Sequence, residues 1–126
     1  MQIIIEVVDH IEQRYPTVGD WEWDDELEFK RLHIKVSRLD NHKHEFLVAL
    51  HEWVEAILCW HRGITQESVT EFDKHNPELV EPGDSPRAPY HVEHRQAGVI
   101  ERMMAEFLNV DWLRYEDDLD SLGKEV

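Results

Sequence analysis

A histidine and a glutamate one helical turn apart, His51 and Glu55, are the residues in this chain most suited to chemistry. Side chains at positions i and i+4 of a helix have Cβ atoms only about 5–6 Å apart, so one nitrogen and one oxygen can reach the same cation. The segment around them has apolar residues at helical spacing. We therefore predict that His51 and Glu55 bind one divalent metal ion together. The competing interpretation is a surface ion pair worth a few tenths of a kcal/mol.

A later segment with helical spacing carries a matching pair, His94 and Glu101, which are two helical turns apart on one stripe. Small residues between them, Ala97 and Gly98, allow the backbone of another helix to approach closely. If this stripe faces the helix of His51, four polar groups converge. Burying them is unfavourable unless they bind a cation or form a closed hydrogen-bond network.

The sequence His51-Glu52-x-x-Glu55 resembles the H-E-x-x-H motif of zincin metallopeptidases, with glutamate in place of the second histidine. The order of elements is also similar: strands first, then the motif helix, then a later helix with a further ligand. The resemblance covers the motif and this coarse order, about half of the chain. It implies that His51, Glu55 and His94 bind zinc and that Glu52 is the general base that activates the metal-bound water.

Glu101 is then either a fourth ligand or a residue that orients a ligand from outside the coordination shell. Zinc is the favoured metal because it accepts mixed nitrogen and oxygen ligands, while the two carboxylates shift some preference towards manganese or iron. His91, at the rim of the same helix, is an alternate ligand. His44 shares the side of His51 and could extend the site.

Charge narrows the range of partners. The 126 residues include 28 Asp and Glu but only 13 Lys and Arg, which gives a formal net charge of -15. This argues against direct binding to nucleic acid or to an anionic membrane, because both need a basic face. A basic protein partner remains an option. No apolar run approaches the roughly 20 residues that a membrane span needs.

The single cysteine, Cys59, cannot form an internal disulfide, and the N-terminal residues lack the basic region and cleavage site of a signal peptide. Both features favour a cytoplasmic location. Five Trp, three Tyr and four Phe are too many large rings for a disordered acidic chain. The length fits one domain, so we expect residues 1–126 to form a single unit.

Residues 1–40 are predicted to be mainly strands. Ile3 to Val8 is a β-branched run, and a second β region contains alternating apolar residues whose phase slips near Lys30-Arg31, which predicts a bulge or a turn. We expect two or three antiparallel strands with one wet face. The alternating residues are Trp21, Trp23, Leu27, Phe29, Leu32, Ile34 and Val36.

The strongest predicted helix runs from about residue 42 to residue 62, between an N-cap at Asp40-Asn41 and Gly63 at its end. A short helix follows Thr65, and a second long helix runs from Pro89 to about residue 108. Apolar residues at helical spacing predict the core face of each long helix. On the first helix they are Phe46, Leu50, Trp53, Val54, Ile57 and Trp60; on the second they are Val92, Val99, Ile100, Met103 and Phe107.

We therefore predict an α+β fold with a small N-terminal antiparallel sheet packed against two long helices and one short helix. Residues 41–110 hold the helices, and residues 111–126 form a C-terminal tail whose first part packs and whose end frays. The leading function is that of a metal-binding, zincin-like protein, and of a hydrolase if the metal activates a water.

Two other functions are compatible with the sequence. One is a magnesium-dependent nucleotide pyrophosphohydrolase, an all-helical class that holds Mg²⁺ with E-x-x-E and E-x-x-D motifs on paired helices. Only Glu52-x-x-Glu55 fits that pattern, and the sheet has no counterpart. The other is a non-enzymatic acidic protein, of the kind found as phage or mobile-element accessories, that occupies the basic surface of a partner.

Overall fold

The computed structural model describes residues 1–25 and 28–123, which form three strands followed by four helices. The strands are β1 at Gln2–Val8, β2 at Gly19–Asp24 and β3 at Arg31–Ser37. The helices are α1 at His42–His61, α2 at Gln66–His75, α3 at His91–Phe107 and α4 at Trp112–Gly123. Single 3-10 turns lie at His10–Glu12 and Pro82–Asp84. The predicted α+β class is confirmed.

The strands form a mixed sheet in the order β1-β3-β2. β2 and β3 are antiparallel as predicted, but β1 and β3 are parallel, so the expectation of an antiparallel sheet is wrong for this pair. β3 takes the central position because Leu32, Ile34 and Val36 are fully buried there. Alternation indicates which side of a strand is buried, and it leaves the direction of the neighbouring strand open.

The predicted turn near Lys30-Arg31 lies in the connection between β2 and β3, immediately before β3 begins. Phe29 belongs to this connection and is exposed, so it does not continue the strand alternation. Leu27 lies outside the described residues. α1 packs across β2 and β3 and forms the second layer of the fold.

The ends of α1 follow from local sequence signals. The Asn41 side chain accepts a hydrogen bond from the backbone N–H of Lys43 at 2.9 Å, which caps the first turn. Gly63 ends the helix with a φ of 72°, a left-handed conformation that favours glycine. Both signals were part of the prediction, and the helix ends within one residue of the expected position.

α3 packs antiparallel against α1. Lys43 at the start of α1 donates to the carbonyl of Leu108 just beyond α3, and Arg62 just beyond α1 donates to Glu93 in the first turn of α3. Ala97 lies fully buried between them. The small-residue stripe of α3 therefore faces α1, as the sequence indicated.

The predicted core face of α3 is wrong, and that of α1 is wrong for three of its six residues, whereas Ile57 packs against the core. All five apolar residues proposed for α3 are exposed, and Phe46, Trp53 and Trp60 of α1 are also exposed. Polar and apolar residues share the buried side of each helix, because polar groups that satisfy one another can be buried at low cost. The buried polar residues are His44, Glu45, His51 and Glu55 on α1 and Glu93 and Glu101 on α3.

The predicted C-terminal tail contains α4, which packs against the α1–α3 pair. Tyr115 of α4 is fully buried, and Asp118 lies 2.7 Å from His44 on α1. Residues 124–126, where fraying was predicted, lie outside the described residues. In the described part of the chain, no helix has both the length and the apolarity needed to cross a bilayer.

Candidate metal centre

Three side-chain atoms converge where α1 meets α3. His51 Nε2 lies 3.1 Å from Glu55 Oε2 and 3.1 Å from His94 Nδ1, and His94 Nδ1 lies 2.9 Å from Glu55 Oε2. Zinc binds nitrogen and carboxylate oxygen at about 2.0–2.2 Å. Two neighbouring atoms that bind the same zinc ion therefore lie roughly 3 Å apart. The triangle therefore has the dimensions of three ligands around one divalent ion.

His51 is held in place through its other ring nitrogen. Nδ1 donates to Glu101 Oε1 at 2.7 Å, and Glu101 Oε2 accepts a hydrogen bond from the hydroxyl of Tyr115 at 2.5 Å. A carboxylate in this position fixes the tautomer and turns the lone pair of Nε2 towards the triangle. The geometry thus favours Glu101 as the residue that orients His51 over the alternative of a fourth ligand.

His94 is oriented in the same way by a residue that sequence reasoning missed. Its Nε2 donates to Asp84 Oδ1 at 3.1 Å, in the turn Pro82–Asp84. Gly83 in this turn contacts the His94 ring so closely that a Cβ atom there would overlap it. His91, predicted as an alternate ligand, contacts the carbonyl of Gly83 at 2.9 Å and so holds the turn.

Glu55 is anchored by its second oxygen. Trp21 Nε1 on β2 donates to Glu55 Oε1 at 3.0 Å, which leaves Oε2 for the triangle. Each of the three candidate ligands therefore presents one atom to a common point and is fixed through another atom by a different element of the fold. Partners of this kind outside the coordination shell are general for protein metal sites.

The protonation states of His51 and His94 determine whether the triangle needs a cation. When both histidines are neutral and donate outward, the triangle contains two nitrogen lone pairs and one carboxylate oxygen, and none of these atoms is a donor. Three acceptors at about 3 Å repel one another unless a cation or an added proton lies between them. The cluster therefore binds either a metal ion or extra protons.

The pKa values show how strongly the cluster attracts positive charge. Burial lowers the pKa of His51, but hydrogen bonds to Glu101 and Glu55 outweigh this effect and raise the pKa well above its usual value. Burial also lowers the pKa of His94, but the hydrogen bond to Glu55 and the negative charge of Glu55 outweigh burial and raise this pKa above its usual value. Burial raises the pKa of Glu55, yet the hydrogen bonds from both histidines lower it to about 2. A divalent cation would take the place of these protons.

Glu52 lies beside the triangle but outside it. Its side chain is half-buried and reaches Gly19 on β2, where a Cβ atom would come within 2.6 Å of Glu52 Oε1. Burial and the negative charge of Glu55 raise the pKa of Glu52 well above its usual value. A carboxylate with a raised pKa beside a metal site can accept a proton from an attacking water.

The triangle and Glu52 line a cleft of about 1090 Å³ between β2, the loop before α3, and the helices α2, α3 and α4. A catalytic metal site needs a coordination position that is open to substrate, and this cleft provides the access. His44, by contrast, is bound to Asp118 and packs on the ring of Tyr115, so it supports α4 and does not extend the triangle.

No protein-family model matches this chain, and no curated protein or solved structure is significantly similar to it. The likeness to zincins consequently rests on the motif and the order of elements described above.

Proposed function

We propose that this protein is a metal-dependent hydrolase whose divalent ion is bound by His51, Glu55 and His94. The observation that carries the proposal is the convergence of three acceptor atoms within 3.1 Å of one another, each oriented by its own partner. Two histidines and one glutamate, with a fourth position open to water, form the ligand set of several catalytic zinc sites.

The residues around the triangle have separate roles in this proposal. A bound divalent ion supplies Lewis acidity and lowers the pKa of a coordinated water. Glu52 accepts the proton of that water and delivers it to the leaving group. Glu101 and Asp84 fix the tautomers of the two imidazoles, so that His51 Nε2 and His94 Nδ1 face the ion and both rings are rigid in orientation.

The donor set favours zinc, and it is also compatible with iron or manganese, which bind two histidines and one carboxylate in other proteins. It does not favour the magnesium-dependent pyrophosphohydrolase, because Mg²⁺ prefers oxygen ligands and binds imidazole poorly. The net charge of -15 still permits a basic protein partner. A cytoplasmic location remains part of the proposal, since buried Cys59 is a free thiol.

Metal binding tests the proposal directly. Protein stripped with a chelator is titrated with Zn²⁺, Mn²⁺ and Fe²⁺ in a calorimeter, and one ion per chain is expected. The double variant His51→Ala/His94→Ala should lose this binding, whereas the control His61→Ala/His75→Ala, which alters two exposed histidines, should keep it. Equal binding by both double variants would show that the triangle is not a metal site.

A further inference from the structure

The side of the α1–α3 pair that faces away from the cleft carries an apolar surface, which we name the αα face. It consists of Phe46, Leu50 and Ile57 on α1 and Ile100, Met103 and Phe107 on α3. Phe46, Ile100, Met103 and Phe107 are exposed, and Leu50 and Ile57 are half-buried at the margin of the core. This surface contains most of the residues whose spacing had predicted a core.

Helix geometry places these residues on one side. α1 and α3 are antiparallel and are joined at both ends by the bonds of Lys43 and Arg62 described above. At 100° per residue, Leu50 and Ile57 lie on one side of the α1–α3 seam, and Glu52, which lines the cleft, lies on the other. The same rotation along α3 separates Ile100, Met103 and Phe107 from Gly98, which also lines the cleft. The αα face is therefore continuous across both helices.

The area of the αα face is sufficient for a stable interface. Phe46 is 47% exposed, Trp53 at its edge is 38% exposed, and Phe107 is 70% exposed. Because an aromatic side chain presents about 150–250 Å², these three rings alone leave roughly 230–390 Å² of apolar area in water. The aliphatic residues of the face raise the exposed apolar area to on the order of 600 Å². This is the upper end of the range for the largest apolar patch on a monomer. It is also close to the apolar part of a standard interface, which buries about 800 Å² per partner.

The spacing along α1 indicates what covers this surface. Phe46, Leu50, Trp53 and Ile57 follow one another at intervals of four and three residues, the heptad pattern with which one helix packs against another. A basic partner would find little negative charge here, because the αα face itself contains no acidic residue.

We propose that the αα face is the interface of a homodimer, in which α1 and α3 of two copies pack face to face as a four-helix arrangement. A two-fold axis brings the same patch of each copy together, and an apolar surface without fixed charge is complementary to itself. Because each copy carries a net charge of -15, repulsion between the copies opposes association, and salt should therefore strengthen the dimer.

Light scattering coupled to size-exclusion chromatography tests the homodimer at about 100 µM protein. The wild type should have about twice the chain mass of 15.1 kDa. The variant Ile100→Asp/Met103→Asp should be a monomer with an unchanged circular dichroism spectrum. The control Ile11→Asp should remain a dimer, because Ile11 is equally apolar and 92% exposed but lies outside the αα face.

A second variant guards against misfolding of the first. Phe107→Asp replaces a side chain that contributes little to the monomer core, so a folded monomer is expected and the dissociation constant should rise at least tenfold. Raising NaCl from about 0.05 to 0.5 M should lower the dissociation constant of the wild type several-fold. A monomeric wild type, a dimer that persists in both αα-face variants, or a dimer weakened by salt would overturn the proposal.

Discussion

Replacing Glu101 with glutamine gives the sharpest test of how the proposed metal centre is organised. The glutamine is nearly isosteric, so the packing of α3 against α1 should be kept. It has only one acceptor oxygen, whereas Glu101 accepts from His51 at 2.7 Å and from Tyr115 at 2.5 Å. The amide oxygen can still accept from His51 while the amide nitrogen donates to the hydroxyl oxygen of Tyr115, but neither hydrogen bond then involves a charged acceptor.

The expected effect is a loss of metal affinity of about 10- to 100-fold, the usual consequence of removing a carboxylate that orients a metal-bound histidine. This corresponds to roughly 1.4–2.7 kcal/mol of binding free energy. Competition between the protein and a chromophoric zinc chelator at pH 7 measures the affinity. Glu106→Gln is the matched control, because Glu106 lies on the same helix, is exposed and takes no part in the triangle.

Two results would refute this reasoning. A change in affinity of less than about twofold would mean that Glu101 does not orient a metal-bound His51. Complete loss of binding, with the circular dichroism spectrum retained, would mean that Glu101 is itself a ligand and that the triangle is incorrectly assigned. The control variant should bind zinc like the wild type in either case.

Three further predictions follow from the same contacts. Glu52→Gln should bind one metal ion normally but lose about 10²–10⁴-fold in the hydrolysis of a mixed fluorogenic peptide library, and an unchanged rate would remove Glu52 from the mechanism. Zinc affinity should fall as the pH decreases, because the raised pKa values of His51 and His94 mean that zinc must displace protons from these rings. Calorimetry in two buffers should show that protons are released on zinc binding. The absence of proton release would contradict the assigned ligands. Tyr115→Phe should lower the free energy of unfolding by about 1–3 kcal/mol in urea titrations, because buried Glu101 loses a donor; an unchanged midpoint would show that this bond contributes nothing.

The convergence of His51, Glu55, His94 and Glu101 could be predicted because it follows from local rules. Spacings of four and seven residues place side chains on one side of a helix, and small residues indicate where two helices approach each other. The caps of α1 were predictable for the same reason, since the N-cap at Asn41 and the left-handed glycine act within one turn.

The partners that orient the ligands could not be predicted, because they come from distant segments. Asp84 lies in an irregular turn and Trp21 lies on a strand, so no periodicity connects them to α1. The parallel pairing of β1 with β3 depends in the same way on which edge of β3 is free.

The core face of α3 and part of that of α1 were predicted wrongly because periodicity measures only where apolar residues are. Buried polar groups are acceptable when every donor and acceptor finds a partner, and only coordinates show whether this condition is met. The apolar stripe of α3 therefore marked its outer surface, whereas on α1 the buried side contains both apolar and polar residues.

The hydrogen bond from Tyr115 to Glu101 affects when, during synthesis of the chain, the candidate metal centre is complete. The candidate ligands come from α1 and α3, but the carboxylate behind His51 is held by a hydroxyl that belongs to the last helix of the described chain. During synthesis, α1 and α3 emerge from the ribosome before this hydroxyl exists. Under the proposed function, tight metal binding is accordingly expected late in maturation, and a chain that ends before α4 is expected to bind a metal ion more weakly than the full chain.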